Sequence, residues 1–188
     1  MSTQPASFGP SALVTPANAV TVARLLVSPL LLAMIVASGD SWPAVVLWIG
    51  LCVTDGLDGY LARRQGTTRS GAFLDPLADK VLVLGAMIAL VTANRLWWLP
   101  VVLITGREVA ISIFRSYWGR RGLAVPATGL AKVKTVTQEV AVGWVLLPVT
   151  ADSRWLINGS LWAAVVLTLW TGVQYIHDGS RSTRSMTR

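Results

Sequence analysis

Residues Val53 to Lys80 read VTDGLDGYLARRQGTTRSGAFLDPLADK and hold four of the nine acidic residues of the chain. The four are Asp55, Asp58, Asp75 and Asp79. Within each pair the spacing is three or four residues, which places both side chains on one face of a helix. A short turn between two such helices would place all four carboxylates at the same level along the helix axes. The stretch therefore predicts a helical hairpin with a carboxylate cluster.

The composition around this stretch is that of a membrane protein. The chain has 188 residues, of which 53% are apolar and 13% charged, whereas soluble domains carry about 25% charged residues. Apolar runs near the length that crosses a bilayer as a helix recur along the chain. The single cysteine, Cys52, excludes an internal disulfide and a multi-cysteine metal site. We predict an all-α integral membrane protein.

The hydropathy pattern predicts six transmembrane helices. Tight turns at Gly39-Asp40, Asn94-Arg95 and Asp152-Ser153 would lie on one side of the membrane. We predict a disordered lead over residues 1–14, a six-helix transmembrane domain over 15–178 and a basic tail over 179–188. The predicted helices span roughly 18–38, 42–64, 72–93, 96–118, 133–150 and 154–177.

Charge predicts the orientation of these helices. Of the 16 Lys and Arg residues, only Arg95 and Arg154 lie near the tight turns. The positive-inside rule makes the opposite side cytoplasmic, so both termini and the aspartates lie toward the cytoplasm. The net charge of +7 is explained by the cytoplasmic Lys and Arg residues that set the topology and attract anionic lipid headgroups. We therefore expect no nucleic-acid partner.

The four aspartates suggest a site for divalent metal ions. Bare carboxylates so close together repel one another, and ionisable groups in membrane helices are costly and usually functional. Mg²⁺, Mn²⁺ and Ca²⁺ take oxygen ligands, and two such ions shared by carboxylates serve phosphoryl chemistry. Helix capping or pairing with nearby Arg and Lys residues is the alternative, and it accounts for one or two aspartates rather than four.

The stretch resembles the signature of the CDP-alcohol phosphotransferase family. It reads D-x-x-D-G-x-x-A-R from Asp55 to Arg63 and G-x-x-x-D-x-x-x-D from Gly71 to Asp79, with seven residues between the two parts where the family usually has eight. The resemblance implies the six-helix fold of that family and two divalent cations, Mg or Mn, bound by the four aspartates. It also implies that the metals grip the diphosphate of CDP-diacylglycerol and that Asp79 is the general base.

The same resemblance assigns residues that contact the CDP-lipid. Thr15 to Leu26 is similar to the first-helix pattern of the family, with Asn18 and Thr21 on one helix face. Capping of the helix by Thr15, with Pro16 at the first helical position, is an alternative reading of this segment. The full set of predicted CDP-lipid contacts is Asn18, Thr21, Asp58, Gly59, Ala62, Arg63, Gly71 and Asp75.

A second segment, Gly106 to Glu139, resembles the family members whose acceptor is sn-glycerol 3-phosphate. The resemblance and the cost of uncompensated cations in a membrane predict that an acceptor phosphate binds Arg107, Arg115, Lys132 and Lys134. Alternatively, Arg107 pairs with Glu108 or Glu139, and the lysines extend to lipid headgroups.

Several functions remain open from the sequence. Within the family, the acceptor could be phosphatidylglycerol, as in a cardiolipin synthase, or an inositol phosphate, as in a phosphatidylinositol phosphate synthase. A divalent-cation transporter is an alternative of a different class, although such proteins bind ions near the midplane, often between internal repeats, and no repeat is evident here. The family resemblance further implies a homodimer in a bacterial plasma membrane, with the active site on the cytoplasmic side.

Overall fold

The structure is a computed structural model that describes residues 16–65, 71–119 and 129–186. Within these ranges the chain forms six α-helices and no strand, which confirms the predicted all-α class. Most helix ends lie within a few residues of their predicted positions. The helices are α1 (Pro16–Ser38), α2 (Trp42–Gln65), α3 (Gly71–Thr92), α4 (Trp98–Gly119), α5 (Gly129–Leu146) and α6 (Arg154–Met186).

The last helix differs most from the prediction. Its predicted end is near residue 177, but α6 continues to Met186 and includes most of the predicted basic tail. No proline interrupts the sequence between Arg154 and Met186, so no residue there lacks the N–H group that helix continuation requires. The predicted lead over residues 1–14 lies outside the described residues.

Residues with positive φ end the first and third helices. Gly39 has φ 75° and donates its backbone N–H to the carbonyl of Ile35 at 2.7 Å. Asn94 has φ 56°, and the next residue, Arg95, donates to the carbonyl of Leu90 at 2.8 Å. Such left-handed residues satisfy the last free carbonyls of a helix, so the two turns end where the sequence predicts.

The three predicted tight turns lie at one end of the protein. Asp40 in the first turn forms an ion pair with Arg95 in the second. A polar cavity of about 520 Å³ is lined by residues of the second and third turns, including Asn94 and Asp152. The opposite end of the helices carries the predicted functional residues.

The helices pack in two groups of three. In the described residues α1 packs against α2 and α3, while α6 packs against α4 and α5. Contacts of α5 with α2 and α3, and of α3 with α4, join the groups. The expected side-by-side packing of α2 and α3 is not extensive in the described part, because α1 packs against both helices.

Apolar side chains fill the centre and also cover much of the outside. The core includes Leu31, Trp48, Met87 and Leu161. Large apolar side chains such as Leu26, Val46 and Trp155 remain exposed, with 69–79% of their surface accessible. Soluble monomers rarely expose extensive apolar surface, so this outer surface suits contact with lipid.

Two helices of the described part meet the requirements for crossing a bilayer. They are Ala19–Ser38 within α1 and Arg154–Tyr175 within α6. The segment Trp42–Gly56 of α2 is apolar but shorter. The described residues form six helices, whereas six membrane crossings remain a prediction.

Candidate active site

Three carboxylates from three helices meet in the structure. Asp55 of α2, Asp79 of α3 and Glu139 of α5 each offer an oxygen within 4.8 Å of the other two. All three side chains are partly shielded from solvent. Oxygen ligands grouped in this way suit a hard divalent cation such as Mg²⁺ or Mn²⁺. We refer to these three residues as the carboxylate cluster.

A buried arginine partly balances the charge of the carboxylate cluster. Arg24 of α1 is only 2% exposed, and its guanidinium forms an ion pair with Asp55. Three carboxylates and one guanidinium leave two negative charges uncompensated within this group. Shielded charge is costly unless it is compensated, and one divalent cation would supply the missing positive charge. The donor atoms and the charge balance both fit a metal ion.

Two further signature aspartates lie on the same helices. Asp58 follows Asp55 by three residues in α2, and Asp75 precedes Asp79 by four residues in α3. Asp58 therefore shares a helix face with Asp55, and Asp75 shares a helix face with Asp79. Asp58 and Asp75 each lie one turn farther from the tight turns. The side chains of both lie outside the described residues, so the structure brings together two of the four predicted metal ligands.

The predicted CDP-lipid contacts lie mostly outside the described side chains. Thr21 is the exception, and it is completely buried one turn before Arg24 on α1. A nucleotide could reach Thr21 only if the side chains that cover it moved. The other predicted contacts whose side chains are not described are Asn18, Asp58, Gly59, Ala62, Arg63, Gly71 and Asp75.

A second group of charges is centred on Glu108 of α4. Its carboxylate accepts hydrogen bonds from Lys134 of α5 and from Nη1 of Arg107, the latter at 2.9 Å. Glu108 and Lys134 are 6% and 7% exposed. Since a buried cation without a partner is strongly unfavourable, Glu108 is what allows the cations of Lys134 and Arg107 to lie beside it.

The guanidinium of Arg107 also reaches α6. Its Nη2 donates a hydrogen bond to the hydroxyl of Thr171 at 2.9 Å. Gly172 permits this approach, because a Cβ atom at that position would lie 3.0 Å from Nε of Arg107. A nearby hydrogen bond between Gln138 and Thr168, also 2.9 Å long, joins α5 to α6. The polar network thus connects the three helices of the second group.

Lys80 connects this network with the carboxylate cluster. It follows Asp79 in sequence, and its ammonium group donates to the hydroxyl of Ser112 on α4. Ser112 in turn donates to the backbone carbonyl of Glu108 at 2.5 Å. A basic region therefore adjoins the carboxylate cluster.

The four residues predicted to bind an acceptor phosphate have different surroundings. Arg107 and Lys134 both pair with Glu108, as the alternative interpretation expects for Arg107. Lys132 is exposed on α5, and the side chain of Arg115 lies outside the described residues. A phosphate that bound Arg107 or Lys134 would have to share these cations with Glu108.

Replacing Glu108 by glutamine should destabilise the protein. The amide would leave the cations of Lys134 and Arg107 buried without a negative partner. Losing hydrogen bonds to charged groups typically costs about 1.5–3 kcal/mol each, so we expect a lower thermal unfolding temperature in detergent. Asp152→Asn, the same change at an exposed position, is the matched control. Equal unfolding temperatures of Glu108→Gln and the wild type would contradict this role.

Sequence reasoning missed three residues of the site. Glu139 was considered only as a partner of Arg107, yet it completes the carboxylate cluster. Arg24 lies in the segment Thr15 to Leu26 that resembles the first helix of the family, but no role is predicted for it, and Glu108 is predicted only as a possible partner of Arg107. The available signal was the same for all three, because a charged residue in an apolar helix usually has a partner or a function.

Replacing Glu139 by glutamine tests whether this third carboxylate contributes to metal binding. An amide keeps the size of the side chain but removes its negative charge, so we expect Mn²⁺ to bind about tenfold or more weakly, as for other groups that support a metal site. Titration of purified protein with Mn²⁺, followed by electron paramagnetic resonance, measures the affinity directly. Unchanged affinity in Glu139→Gln, with Asp152→Asn as control, would show that Glu139 is not involved.

Comparison with known proteins relates this chain to one enzyme family. A sequence model of the CDP-alcohol phosphatidyltransferase family matches residues 14–170. The probable phosphatidylglycerophosphate synthase of Mycobacterium tuberculosis strain H37Rv is 40% identical over 167 residues, which are 85% of this chain and 79% of that protein. The CDP-diacylglycerol–glycerol-3-phosphate 3-phosphatidyltransferases of Shigella flexneri and Escherichia coli K12 are each 36% identical over 163 residues, 83% of this chain and 90% of those proteins. The matched region contains the whole carboxylate cluster.

Proposed function

The chain belongs to the CDP-alcohol phosphatidyltransferase family, and from this premise we propose that it is a phosphatidylglycerophosphate synthase. The reaction would transfer the phosphatidyl group of CDP-diacylglycerol to sn-glycerol 3-phosphate and release CMP. The observation that carries the proposal is the carboxylate cluster, two of whose members, Asp55 and Asp79, belong to the family signature. The names of the relatives that match over most of the chain support this choice of acceptor.

In the proposed reaction a hydroxyl group of the acceptor attacks the phosphorus on the lipid side of the diphosphate. A new phosphorus–oxygen bond forms to the acceptor, and the bond between this phosphorus and the oxygen of CMP breaks. Asp79 takes the proton of the attacking hydroxyl. A carboxylate among other negative charges is a suitable proton acceptor, because those charges favour its protonated form.

Residues of this chain are suited to bind two divalent cations, Mg or Mn. We assign Asp55, Asp58, Asp75 and Asp79 as their ligands, with Glu139 as an additional carboxylate. When bound, the metals would neutralise the charge of the diphosphate, which is a main requirement of phosphoryl transfer. Arg24 holds the carboxylate of Asp55 in place through their ion pair, and we regard it as a positioning residue.

The nucleotide end of the lipid would lie beside the cytoplasmic halves of α1 and α2. Small residues in the signature, Gly59 and Ala62, would leave space for it, and Arg63 would pair with a phosphate. Asn18 and Thr21 would contact the nucleotide from α1, which for Thr21 requires local opening. Gly71 at the start of α3 completes this proposed site.

The basic residues of α4 and α5 would bind the phosphate of the acceptor. Arg107 and Lys134 share Glu108 as a partner, and Ser112, one turn farther along α4, accepts a hydrogen bond from Lys80 beside Asp79. Lys132 and Arg115 would add charge toward the cytoplasm, where a soluble dianion enters. The site thus combines a metal-bound lipid diphosphate with an adjoining basic pocket for glycerol 3-phosphate.

Replacing Arg115 by lysine should raise the KM for sn-glycerol 3-phosphate. Lysine keeps the charge but cannot make the two parallel hydrogen bonds of a guanidinium. Loss of one charge-assisted contact should cost about 1.5–3 kcal/mol, or roughly ten- to a hundredfold, with the KM for CDP-diacylglycerol nearly unchanged. Arg95→Lys, at the end with the tight turns, is the control in steady-state kinetics. An unchanged KM for glycerol 3-phosphate would argue against a phosphate site at Arg115.

We further propose that the protein lies in a bacterial plasma membrane as a homodimer. The concentration of Lys and Arg away from the tight turns supports a cytoplasmic location of both termini and of the active site. The exposed apolar side chains of α1 and α6 support contact with lipid.

The proposed function has a direct test in the lipid product. Purified protein, CDP-diacylglycerol and sn-glycerol 3-phosphate should yield phosphatidylglycerophosphate, which mass spectrometry identifies without ambiguity. Asp79→Asn protein prepared in the same way serves as the blank. Absence of phosphatidylglycerophosphate from the wild-type reaction with added Mg²⁺ or Mn²⁺ would contradict the proposal.

A further inference from the structure

The polar cavity at the end with the tight turns has no part in the proposed reaction. Its volume of about 520 Å³ falls within the range of about 300–1,000 Å³ that is usual for small-ligand sites. The turn between α3 and α4 lines one side of it, and the turn between α5 and α6, together with the first turns of α6, lines the other. The cavity thus lies at the opposite end of the helices from the carboxylate cluster.

Exposed tryptophans indicate that the cavity lies at the level of lipid headgroups. Trp98 and Trp155 stand at the starts of α4 and α6, and both are more than half exposed. Tryptophan is enriched where the membrane meets water, because its indole ring is apolar and its N–H group is polar. Arg154, which lines the cavity, is the first residue of a helix segment that is long and apolar enough to cross a bilayer. Headgroups are therefore the polar molecules nearest to the opening of the cavity.

Among the described residues, one positive and one negative side chain of the cavity have no ion-pair partner. Arg95 forms an ion pair with Asp40, so these two charges compensate each other. Arg154 and Asp152 also line the cavity and are exposed, and neither forms an ion pair within the described parts of the chain. The cavity therefore presents one group for an anion and another for a cation, and a ligand with both charges matches it.

The lining becomes less polar along α6. Arg154 and Asn158 lie near the start of this helix, and Trp162 follows one turn after Asn158. At a rise of 1.5 Å per residue, Trp162 lies about 12 Å from Arg154, toward the middle of the membrane. Its ring packs edge-on against that of Trp97, with the two ring centroids 6.1 Å apart. A polar opening beside an aromatic wall suits an amphipathic molecule such as a phospholipid better than a fully polar one.

We propose that this cavity binds the headgroup of a phospholipid that carries a primary ammonium group, such as phosphatidylethanolamine. The lipid phosphate would accept hydrogen bonds from the guanidinium of Arg154, beside the positive end of the α6 dipole. The ammonium would donate to the carboxylate of Asp152, and the amides of Asn94 and Asn158 would complete the polar contacts. An anionic headgroup without an ammonium would instead place a second negative charge next to Asp152. This inference goes beyond the proposed function, because it does not involve the carboxylate cluster.

Competition among lipids measures the predicted preference. Purified protein in detergent is mixed with equal amounts of dioleoyl phosphatidylethanolamine, phosphatidylcholine and phosphatidylglycerol, and native mass spectrometry counts the lipids that stay bound. We expect one phosphatidylethanolamine per chain, with the other two lipids bound about tenfold more weakly, the scale of a lost hydrogen bond to a charged group. The methylated ammonium of phosphatidylcholine cannot donate a hydrogen bond, and phosphatidylglycerol has no ammonium.

Arg154→Gln should remove the selective binding. Glutamine lacks the charge that holds the phosphate, so phosphatidylethanolamine should bind about tenfold more weakly, whereas Arg154→Lys keeps the charge and should keep most of the binding. Lys132→Gln removes the same charge at an exposed position near the other end and is the matched control. Excess phosphatidylethanolamine should raise the unfolding temperature of the wild type by about 5 °C or more and leave that of Arg154→Gln unchanged. Equal unfolding temperatures of the two proteins in lipid-free detergent verify that the fold is intact.

Three results would overturn the proposal. Equal retention of the three lipids would show unselective binding to the apolar outer surface. Tighter binding of phosphatidylglycerol would identify a site for anions alone. A preference for phosphatidylethanolamine that persists in Arg154→Gln would place the lipid outside this cavity. None of these measurements uses CMP release, so their outcome is independent of whether the proposed function holds.

Discussion

Replacement of Asp79 by asparagine should reduce turnover by about 10²–10⁴-fold, the usual cost of losing a general base. Asparagine keeps the size of the side chain and one oxygen that can face a metal, but it cannot take the proton of the acceptor hydroxyl. Binding of CDP-diacylglycerol should therefore fall much less than the rate. Single-turnover CMP release and equilibrium binding of the lipid, measured on the same preparation, separate the two effects.

The position of Asp79 makes this comparison informative. It shares the carboxylate cluster with Asp55 and Glu139, so it could act as a metal ligand, as a base, or as both. Equal losses of binding and turnover in Asp79→Asn would show that its main role is to hold metal. Asp152→Asn, at an exposed position outside the cluster, should behave as the wild type in both measurements.

Removal of divalent cations should lower the rate of CMP release about as much as Asp79→Asn does. The two negative charges left uncompensated in the cluster would repel the diphosphate of the lipid if no cation were present. Metal ions typically supply several kcal/mol of transition-state stabilisation, so we expect CMP release to fall by at least roughly a hundredfold. Chelation by EDTA, metal analysis of the treated protein, and recovery with added Mg²⁺ or Mn²⁺ form the complete experiment. Undiminished turnover in verified metal-free protein would refute a metal-dependent mechanism.

Much of the helical architecture was predictable because it depends on local signals. Apolar runs of sufficient length and residues such as Gly39 and Asn94 at the turns placed most helix ends within a few residues of those observed. The predicted end of α6, near residue 177, is too early, and the residues that follow it are mostly polar. Polarity alone does not stop a helix, and this segment contains no proline.

The cluster was only partly predictable because it depends on the packing of distant helices. Asp55 and Asp79 lie at similar levels on the two helices of one predicted hairpin, so their convergence was predictable, although α2 and α3 pack mainly against α1 in the described residues. The approach of Glu139 depends on the packing of α5 against both α2 and α3. Among the described residues, Asp55 likewise forms its ion pair with a residue of a distant helix, Arg24 of α1.

The polar network around Glu108 shows a second limit of what the sequence can predict. Sequence reasoning identified Arg107 and Lys134 as cations in need of compensation, but an internal carboxylate and an external phosphate satisfy that need equally well. The structure shows that Glu108 pairs with both, a choice that depends on where α4 and α5 meet. A buried cation therefore indicated the position of a charged site without identifying its ligand.

The measurement that tests the central claim most directly is CMP release by purified protein with a panel of acceptors. CDP-diacylglycerol and Mg²⁺ are held constant, while sn-glycerol 3-phosphate, phosphatidylglycerol and an inositol phosphate are supplied separately at equal concentration. We predict that sn-glycerol 3-phosphate supports the fastest CMP release. Faster release with phosphatidylglycerol would indicate a cardiolipin synthase and contradict the proposed acceptor, and no release with any acceptor would contradict the proposed chemistry itself.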